Sequence, residues 1–308
     1  MTICSGKVLE GYGSSYHVFY RERLISCVLR GKFRQTLKET HNPIAVGDSV
    51  KFSILEDGSG VIEELMERKN KISRPTKWGP SKEKVIVSNV DQLIAVVSVK
   101  NPPLKTGLID RMLVVTEREG IKGVICINKS DLIDVAEIDD IIAEYRKLRF
   151  RVFPVSALTG EGVDELRSAL EEKFSVFMGQ SGVGKTSLLN RLQPGIDRRV
   201  REISEASDKG KHTTSHVSAV YTDFNALIVD TPGFRSFGIW GVEKGNIDVM
   251  FREFRRYIDN CRFRPCSHTH EPGCAVQDAV EQGKIAAFRY ENYVRIYESY
   301  SEEVDPFN

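Results

Sequence analysis

The amino-acid sequence predicts a multi-domain chain: an all-β barrel at the N-terminus, an α/β parallel sheet in the centre and a mostly helical C-terminal segment. Three observations predict it. Short alternating runs fill the stretch up to about residue 68, and apolar strands alternate with helical stretches from about 93 to 229. Beyond Trp240 the strand pattern gives way to helical periodicity around a crowd of cysteines and histidines. At 308 residues the chain has room for two or three domains, and boundaries are expected at 1–68, 69–240 and 241–308.

The first segment reads as five short strands, at 7–13, 15–20, 24–31, 48–55 and 60–65, separated by turns such as His41-Asn42-Pro43 and Asp57-Gly58. Five strands without a helix suit an OB-fold, a frequent nucleic-acid binder; the count also suits an SH3-like barrel. Residues 68–84 follow, with Arg68, Lys69, Lys71, Arg74, Lys77, Lys82 and Lys84 against the single acid Glu83, and Pro75, Gly79 and Pro80 set against any helix. This stretch reads as a basic linker, serving either as a contact for a phosphate backbone or as a solvated tether.

In the central segment, strands are expected at 93–99, 124–127, 152–155, 175–178 and 227–229. Helices are expected between them at about 109–119, 137–148, 161–173 and 185–192, with Gly120 as a C-cap. Strand and helix in alternation mean a parallel sheet. The last segment carries helical periodicity at 249–257 and 275–300, and no internal repeat is visible.

Composition narrows the function classes. Lys plus Arg number 44 and Asp plus Glu 43, a net charge of +1, which excludes a histone-like polycation and confines any nucleic-acid contact to local patches. The chain is 41% hydrophobic and 28% charged, with no apolar run long enough to span a bilayer and no export signal at Met1 to Lys7. A cytoplasmic protein without a membrane partner is expected. Of six cysteines, Cys4, Cys27 and Cys126 stand alone and read as small buried hydrophobes. The other three crowd into 261–274, which points to a metal rather than to disulfides.

Gly179-Gln180-Ser181-Gly182-Val183-Gly184-Lys185-Thr186-Ser187 matches G-x-x-x-x-G-K-[ST] after an apolar strand and before a helix, the setting a P-loop requires. Its glycines let backbone N–H groups wrap phosphates, Lys185 adds a point charge at the β and γ positions, and the Thr186 hydroxyl is a Mg²⁺ ligand. Asp230-Thr231-Pro232-Gly233 closes the strand at 227–229. On its own it is a good β-turn; beside a P-loop it reads as the Mg²⁺ aspartate, Asp230, and a γ-phosphate-sensing glycine, Gly233.

Asn128-Lys129-Ser130-Asp131 also ends an apolar strand. A carboxylate there can accept both N1–H and the 2-amino N–H of guanine, a pair adenine does not present, which selects GTP over ATP. Asn128 and the stem of Lys129 would hold the loop against the ring. Ser156-Ala157-Leu158, after the strand at 152–155, would offer a backbone N–H to the guanine carbonyl. The base-reading motifs thus precede the P-loop, the reverse of an ordinary small GTPase, so the sheet is expected to be circularly permuted.

Between the P-loop and Asp230 lies Gly210-Lys211-His212-Thr213-Thr214-Ser215, placed as switch I, where Thr213 or Thr214 would close on Mg²⁺ and the γ-phosphate. Phe234 follows Gly233 where Ras-like enzymes carry a water-orienting glutamine, and phenylalanine cannot orient water by hydrogen bonding. His212 is the nearest candidate for that task; equally, it reads as a loop histidine packed against a neighbour. Finally, Cys261-x4-Cys266-x-His268-x5-Cys274 offers three thiolates and one imidazole within fourteen residues, enough for a closed tetrahedral Zn²⁺ site, with His270 as a competing ligand.

Taken together, the β-barrel, the base motif ahead of the P-loop, Gly-Lys-His-Thr-Thr, Asp-Thr-Pro-Gly-Phe and the Cys-x4-Cys-x-His-x5-Cys spacing closely resemble the RsgA (YjeQ) family. These are bacterial circularly permuted GTPases of small-subunit ribosome biogenesis. The resemblance covers nearly the whole chain. It implies an OB-like barrel, a permuted P-loop GTPase sheet and a zinc-binding C-terminal domain, with GTP or GDP on Asn128 to Asp131 and Gly179 to Ser187. It further implies zinc on Cys261, Cys266, His268 and Cys274, a catalytic role for His212, and a monomer that binds 16S rRNA. Its GTP hydrolysis would be stimulated by the 30S subunit late in maturation. The rival expectation is a zinc-containing RNA-binding scaffold that holds guanine nucleotide with negligible turnover.

Overall fold

A computed structural model describes residues 3–12, 15–31, 44–76, 79–196, 217–230 and 242–302. His212, Thr213, Thr214 and Gly233 lie outside the described residues, as do Lys77 and the His41-Asn42-Pro43 turn.

The N-terminal strands β1 (Ile3–Tyr12), β2 (Ser15–Tyr20), β3 (Arg23–Leu29), β4 (Ser49–Ile54) and β5 (Gly60–Leu65) close into a barrel of order β1-β2-β3-β5-β4. Each strand alternates because one face fills the barrel: Val8, Val18, Cys27, Val50, Phe52 and Ile62 are fully enclosed. The parallel pairing of β3 with β5 makes this a Greek-key arrangement of the OB type rather than a simple meander. Cys4, Cys27 and Cys126 are indeed buried free thiols, and burial pushes Cys27 up to about 11.

The basic stretch differs from the expected linker. It folds as an antiparallel hairpin, β6 (Lys71–Thr76) with β7 (Gly79–Ser88). Pro75 is tolerated because this sheet has only two strands and each is an edge, and Ile72 and Val87 bury their side chains in the central core. Arg68 pairs within the fold. Its Nε and Nη2 each lie 2.7 Å from the fully buried Asp48 carboxylate, which also accepts from Ser88 Oγ at 2.5 Å and Ala45 N at 2.7 Å. This hub locks the barrel to the hairpin.

The central sheet runs β10-β9-β8-β11-β13-β12, with β8 (Gln92–Ser98), β9 (Lys122–Asn128), β10 (Arg151–Pro154), β11 (Phe174–Met178) and β13 (Leu227–Asp230) parallel. The added edge strand β12 (Ser218–Tyr221) is antiparallel to β13. Strands β8 and β11 are buried along their whole length because both faces are covered, with Gln92 Nε2 donating to Ser175 Oγ at 3.0 Å inside otherwise apolar runs. Helices α1 (Thr106–Glu119) and α2 (Asp139–Lys147) pack one face; α3 (Val163–Leu170) and α4 (Lys185–Leu192) pack the other. Gly120 caps α1 in the left-handed region (φ 65°), as its position in the sequence suggests. Barrel and sheet meet where Phe19 stacks on Tyr221 at 5.3 Å and Lys7 lies over the Phe174 ring at 4.6 Å.

The C-terminal segment has short 3₁₀ turns through 244–260, where a helix at 249–257 is expected, then α5 (Ala275–Glu281) and α6 (Ala287–Glu302). Its core of Phe251, Phe254, Val276, Tyr293 and Ile296 also takes in Val114 and Val115, so α1 is buried on two sides. Arg289 of α6 is buried with Asp110 of α1 and Glu253, pairing with both carboxylates. Burial opposes its charge, yet the two carboxylates hold its pKa raised. Arg289→Ala would leave two buried carboxylates without their cation, so a loss of about 3 to 5 kcal/mol in denaturant unfolding is expected.

Candidate functional site

The site follows from the sheet's winding. The chain enters at β8, winds outward through β9 to β10, returns to the middle at β11 and then runs the other way to β13. Loops leaving β8 and β11 therefore diverge, and an open α/β sheet binds ligands in the crevice beyond the carboxyl ends of strands at such a point. Every base or phosphate motif within the described residues leaves the carboxyl end of a strand there.

The P-loop joins β11 to α4. Gly184 precedes the helix at φ 86°, a backbone region few side chains tolerate, and a Cβ there would lie 2.4 Å from Asn128 Nδ2. Only glycine permits that approach. Lys185 opens α4 and folds back, its Nζ donating to the Gly179 carbonyl at 2.7 Å and the Gln180 carbonyl at 3.4 Å. Burial lowers its pKa, against the pull of the Asp230 carboxylate. Asp230 ends β13 in register with Phe177 of β11, which brings it beside the P-loop as expected.

Asn128, buried at the end of β9, holds two loops at once. Its Nδ2 donates to the Val183 carbonyl at 2.8 Å, and its Oδ1 accepts from Ala157 N–H at 3.1 Å. Lys129, in the left-handed region at φ 64°, donates from Nζ to the carbonyls of Gly182 (2.7 Å) and Asn101. Asp131 lies in the 3₁₀ turn Ser130–Leu132, and Ser156 Oγ donates to its Oδ1 at 2.5 Å while accepting from Thr159 N at 3.1 Å. One carboxylate oxygen is thereby fixed in direction.

These loops enclose a cavity of about 310 Å³ lined by Asn128, Lys129, Asp131, Leu132, Ala157, Leu158, Gly184 and Ser187. Its size falls at the lower end of small-molecule sites, suited to a single heterocycle. Leu158 is 80% exposed at its rim. A backbone N–H from 156–158 is expected for the base; the Ala157 N–H is donated instead to Asn128 Oδ1. Asn101 and Leu132 belong to the site without having been expected, because neither carries a motif.

A second constellation lies in the C-terminal segment. Ligand atoms of Cys261, Cys266, His268 and Cys274 all lie within 4.8 Å of one another. Cys261 Sγ is 3.6 Å from His268 Nδ1 and 4.0 Å from Cys274 Sγ, and His268 Nδ1 is 3.3 Å from Cys274 Sγ. A tetrahedron with Zn–S near 2.3 Å and Zn–N near 2.0 Å has edges of about 3.5 to 3.8 Å, so the donor set fits zinc. His268, not His270, is in the cluster; the exposed His270 lies 2.9 Å from Thr269 Oγ1. Asp248 Oδ2, 3.3 Å from His268 Nε2, orients the ring so that Nδ1 faces the thiols. Nothing in the spacing marks Asp248, thirteen residues before the first cysteine.

Two family models match the chain: RsgA GTPase over residues 65–240 and RsgA N-terminal domain over residues 5–62. A Caldanaerobacter subterraneus protein named small ribosomal subunit biogenesis GTPase RsgA is 38% identical over 298 residues, spanning 97% of this chain and 96% of that one. The crystal structure of YjeQ from Thermotoga maritima superposes with a TM-score of 0.80 at 37% identity, covering 97% of this chain and 98% of that one. The structure of YloQ, described as a circularly permuted GTPase, gives 0.76 at 29% identity over 98% and 96%.

The base cavity makes a specific demand of Asp131. Asp131→Asn presents a donor to guanine's N–H groups, so GTP affinity should fall by roughly a hundredfold or more while xanthosine triphosphate gains. Competition binding with GTP, xanthosine triphosphate and ATP measures this, and an unchanged preference for GTP would refute the assignment. The thiol cluster makes another. Cys266→Ser should lose bound zinc and loosen the C-terminal core while nucleotide binding persists. Metal analysis of reduced, chelator-free wild type that finds no zinc would sink the structural-metal reading.

Proposed function

This chain belongs to the RsgA GTPase family, and we propose that it hydrolyses GTP in the late maturation of the 30S ribosomal subunit, binding rRNA and being stimulated by the subunit. The observation that carries the reading is the Asn128 carboxamide, which ties the P-loop to the 156–158 loop around a cavity with Asp131 in its wall. That joins a phosphate cradle to a base pocket, as a guanine nucleotide requires. The finer reading is a cytoplasmic monomer engaging 16S rRNA, divided into an OB-like barrel (1–68), the GTPase unit (69–240) and a zinc-binding unit (241–308).

In this reading the backbone of Gly179 to Gly184 wraps the phosphates and Lys185 neutralises them, its lowered pKa restored as anionic oxygens approach. Thr186 and Asp230 are the side chains that would hold Mg²⁺ with GTP, and the ion supplies charge neutralisation on the β- and γ-oxygens. Gln180, Ser181, Val183 and Ser187 complete the loop, and Ser130 and Leu158 flank the base. Thr213, Thr214 and Gly233 sense the γ-phosphate, and His212 orients the attacking water. Cys261, Cys266, His268 and Cys274 hold a structural zinc.

Steady-state GTP turnover with and without purified 30S subunits tests the proposal. Acceleration by 30S is expected, and turnover that stays negligible would favour a nucleotide-holding scaffold instead. The GTP-analogue form should bind 30S about tenfold more tightly than the GDP form, a coupling of about 1.4 kcal/mol. His212→Ala should lose the stimulated turnover and keep that preference; full stimulated turnover in this variant would remove His212 from the mechanism.

A further inference from the structure

We propose that Asn292, on the C-terminal helix α6, is a positioning residue for nucleotide binding, acting on Lys129 through the start of α1 and the Asn101-Pro102 turn. The inference rests on the nucleotide-site reading above and deepens it. It names a route from the metal-bearing segment to the base loop that does not pass through Asp230.

The contacts form a short chain. Lys129 Nζ bridges the carbonyls of Asn101 and Gly182, so the Asn101-Pro102 turn shares this ammonium with the P-loop. Pro102 packs against the same glycine, where a Cβ on Gly182 would meet its Cδ at 3.6 Å. The turn is held from below by Ser98 at the end of β8, whose Oγ donates to the Pro102 carbonyl at 2.8 Å. Beyond the turn, Leu104 N–H donates back to the Val99 carbonyl at 3.3 Å, and α1 starts at Thr106.

The first turn of α1 is tied to α6. Asn292 Nδ2 donates to Thr106 Oγ1 at 3.0 Å and to Asp110 Oδ2 at 2.7 Å. Arg289 and the Tyr145 hydroxyl hold the other Asp110 oxygen. Asn292 is 2% exposed and Asp110 wholly buried. With Asn292 and Asp110 buried and Thr106 half-buried, these hydrogen bonds fix where α1 begins relative to α6. Four residues separate Thr106 from Asn101, and two contacts within them brace the segment. A shift of α6 therefore moves the carbonyl that Lys129 grips.

The route has a distinctive signature. Lys129 lines the cavity assigned to the base, and every guanine nucleotide has the same base. A change at Asn292 should alter GDP and GTP-analogue affinity by the same factor and leave turnover at saturating GTP unchanged. A route through the γ-phosphate sensors would change the ratio instead. Because the reporter is Lys129, the effect of Asn292 should vanish once that side chain is gone.

The test is a double-mutant cycle on the full chain, with GDP and GTP-analogue affinities measured by titration. Asn292→Ala should weaken both about fivefold, or about 1 kcal/mol. The milder Thr106→Val removes the hydroxyl that Asn292 bonds and should act in the same direction, which keeps the test open if Asn292→Ala folds poorly. In a Lys129→Ala background, neither change should cost further affinity. Additive losses in that background, a loss confined to the GTP analogue, or unchanged affinity in both single variants would overturn the proposal. Failure of the wild-type chain to bind any guanine nucleotide would instead sink the site reading on which it rests.

Discussion

The carboxamide of Asn128 is the constraint on which the nucleotide site depends. It is buried, and it donates to the P-loop at Val183 while accepting from Ala157. The two loops it joins leave strands β11 and β10, which are separated in the sheet by β8 and β9. A buried amide can satisfy both neighbours at once, and leaving either unsatisfied costs about 1 to 3 kcal/mol. The same amide comes so near Gly184 that no Cβ fits between them. The glycine is thus required twice, for its positive φ and for the approach of Asn128.

This geometry explains why circular permutation leaves the site intact. A nucleotide pocket at a topological switch point needs loops at the carboxyl ends of neighbouring strands and is indifferent to the order in which the chain visits them. Permutation alters what the loops lead into. The strand bearing Asp230 now precedes the C-terminal segment in the chain, and the barrel feeds β8 through a packed hairpin rather than a free tether. The hairpin's junction is charged and built on the buried Asp48, which accepts from Arg68, Ser88 and Ala45. Such a hub gives the barrel one seat on the sheet.

Helix α1 ties the rest together. It packs on the central sheet with Ile109, Met112 and Leu113 and on the C-terminal core with Val114 and Val115, while Asp110 faces Arg289, Tyr145 and Asn292. Buried ions are poor sources of stability when compared with apolar replacements, but they admit few alternative geometries. An α6 seated by Arg289 and Asn292 cannot slide on α1 without stranding charge. The cluster of Cys261, Cys266, His268 and Cys274 lies just beyond, where Tyr290 and Tyr293 donate to carbonyls of His268 and Ser267. The cysteine loop is thereby fastened to the helix that meets α1.

The sequence by itself determined the barrel strands, the parallel sheet, the permuted order of motifs and a candidate metal cluster of Cys261, Cys266 and Cys274 with a histidine beside them. Each of these is a local signal: an alternation of period two, a glycine-lysine loop after a strand, or thiols a few residues apart. The tertiary structure alone decided that His268 rather than His270 faces the thiols, because both are within reach in sequence and only the fold brings Asp248 to one of them. It alone turned residues 71–88 into a hairpin, since charges and prolines hide a pairing whose apolar anchors, Ile72 and Val87, face the sheet's core. Edge strand β12 escaped notice for a similar reason: four residues are too few to show a period. Asp110, Arg289 and Asn292 were illegible too, for Asp110 lies about 180 residues from the other two in the chain and the three have meaning only as a buried cluster. Short-range pattern is written in neighbouring residues; the cost of burying a charge depends on which distant group arrives to meet it.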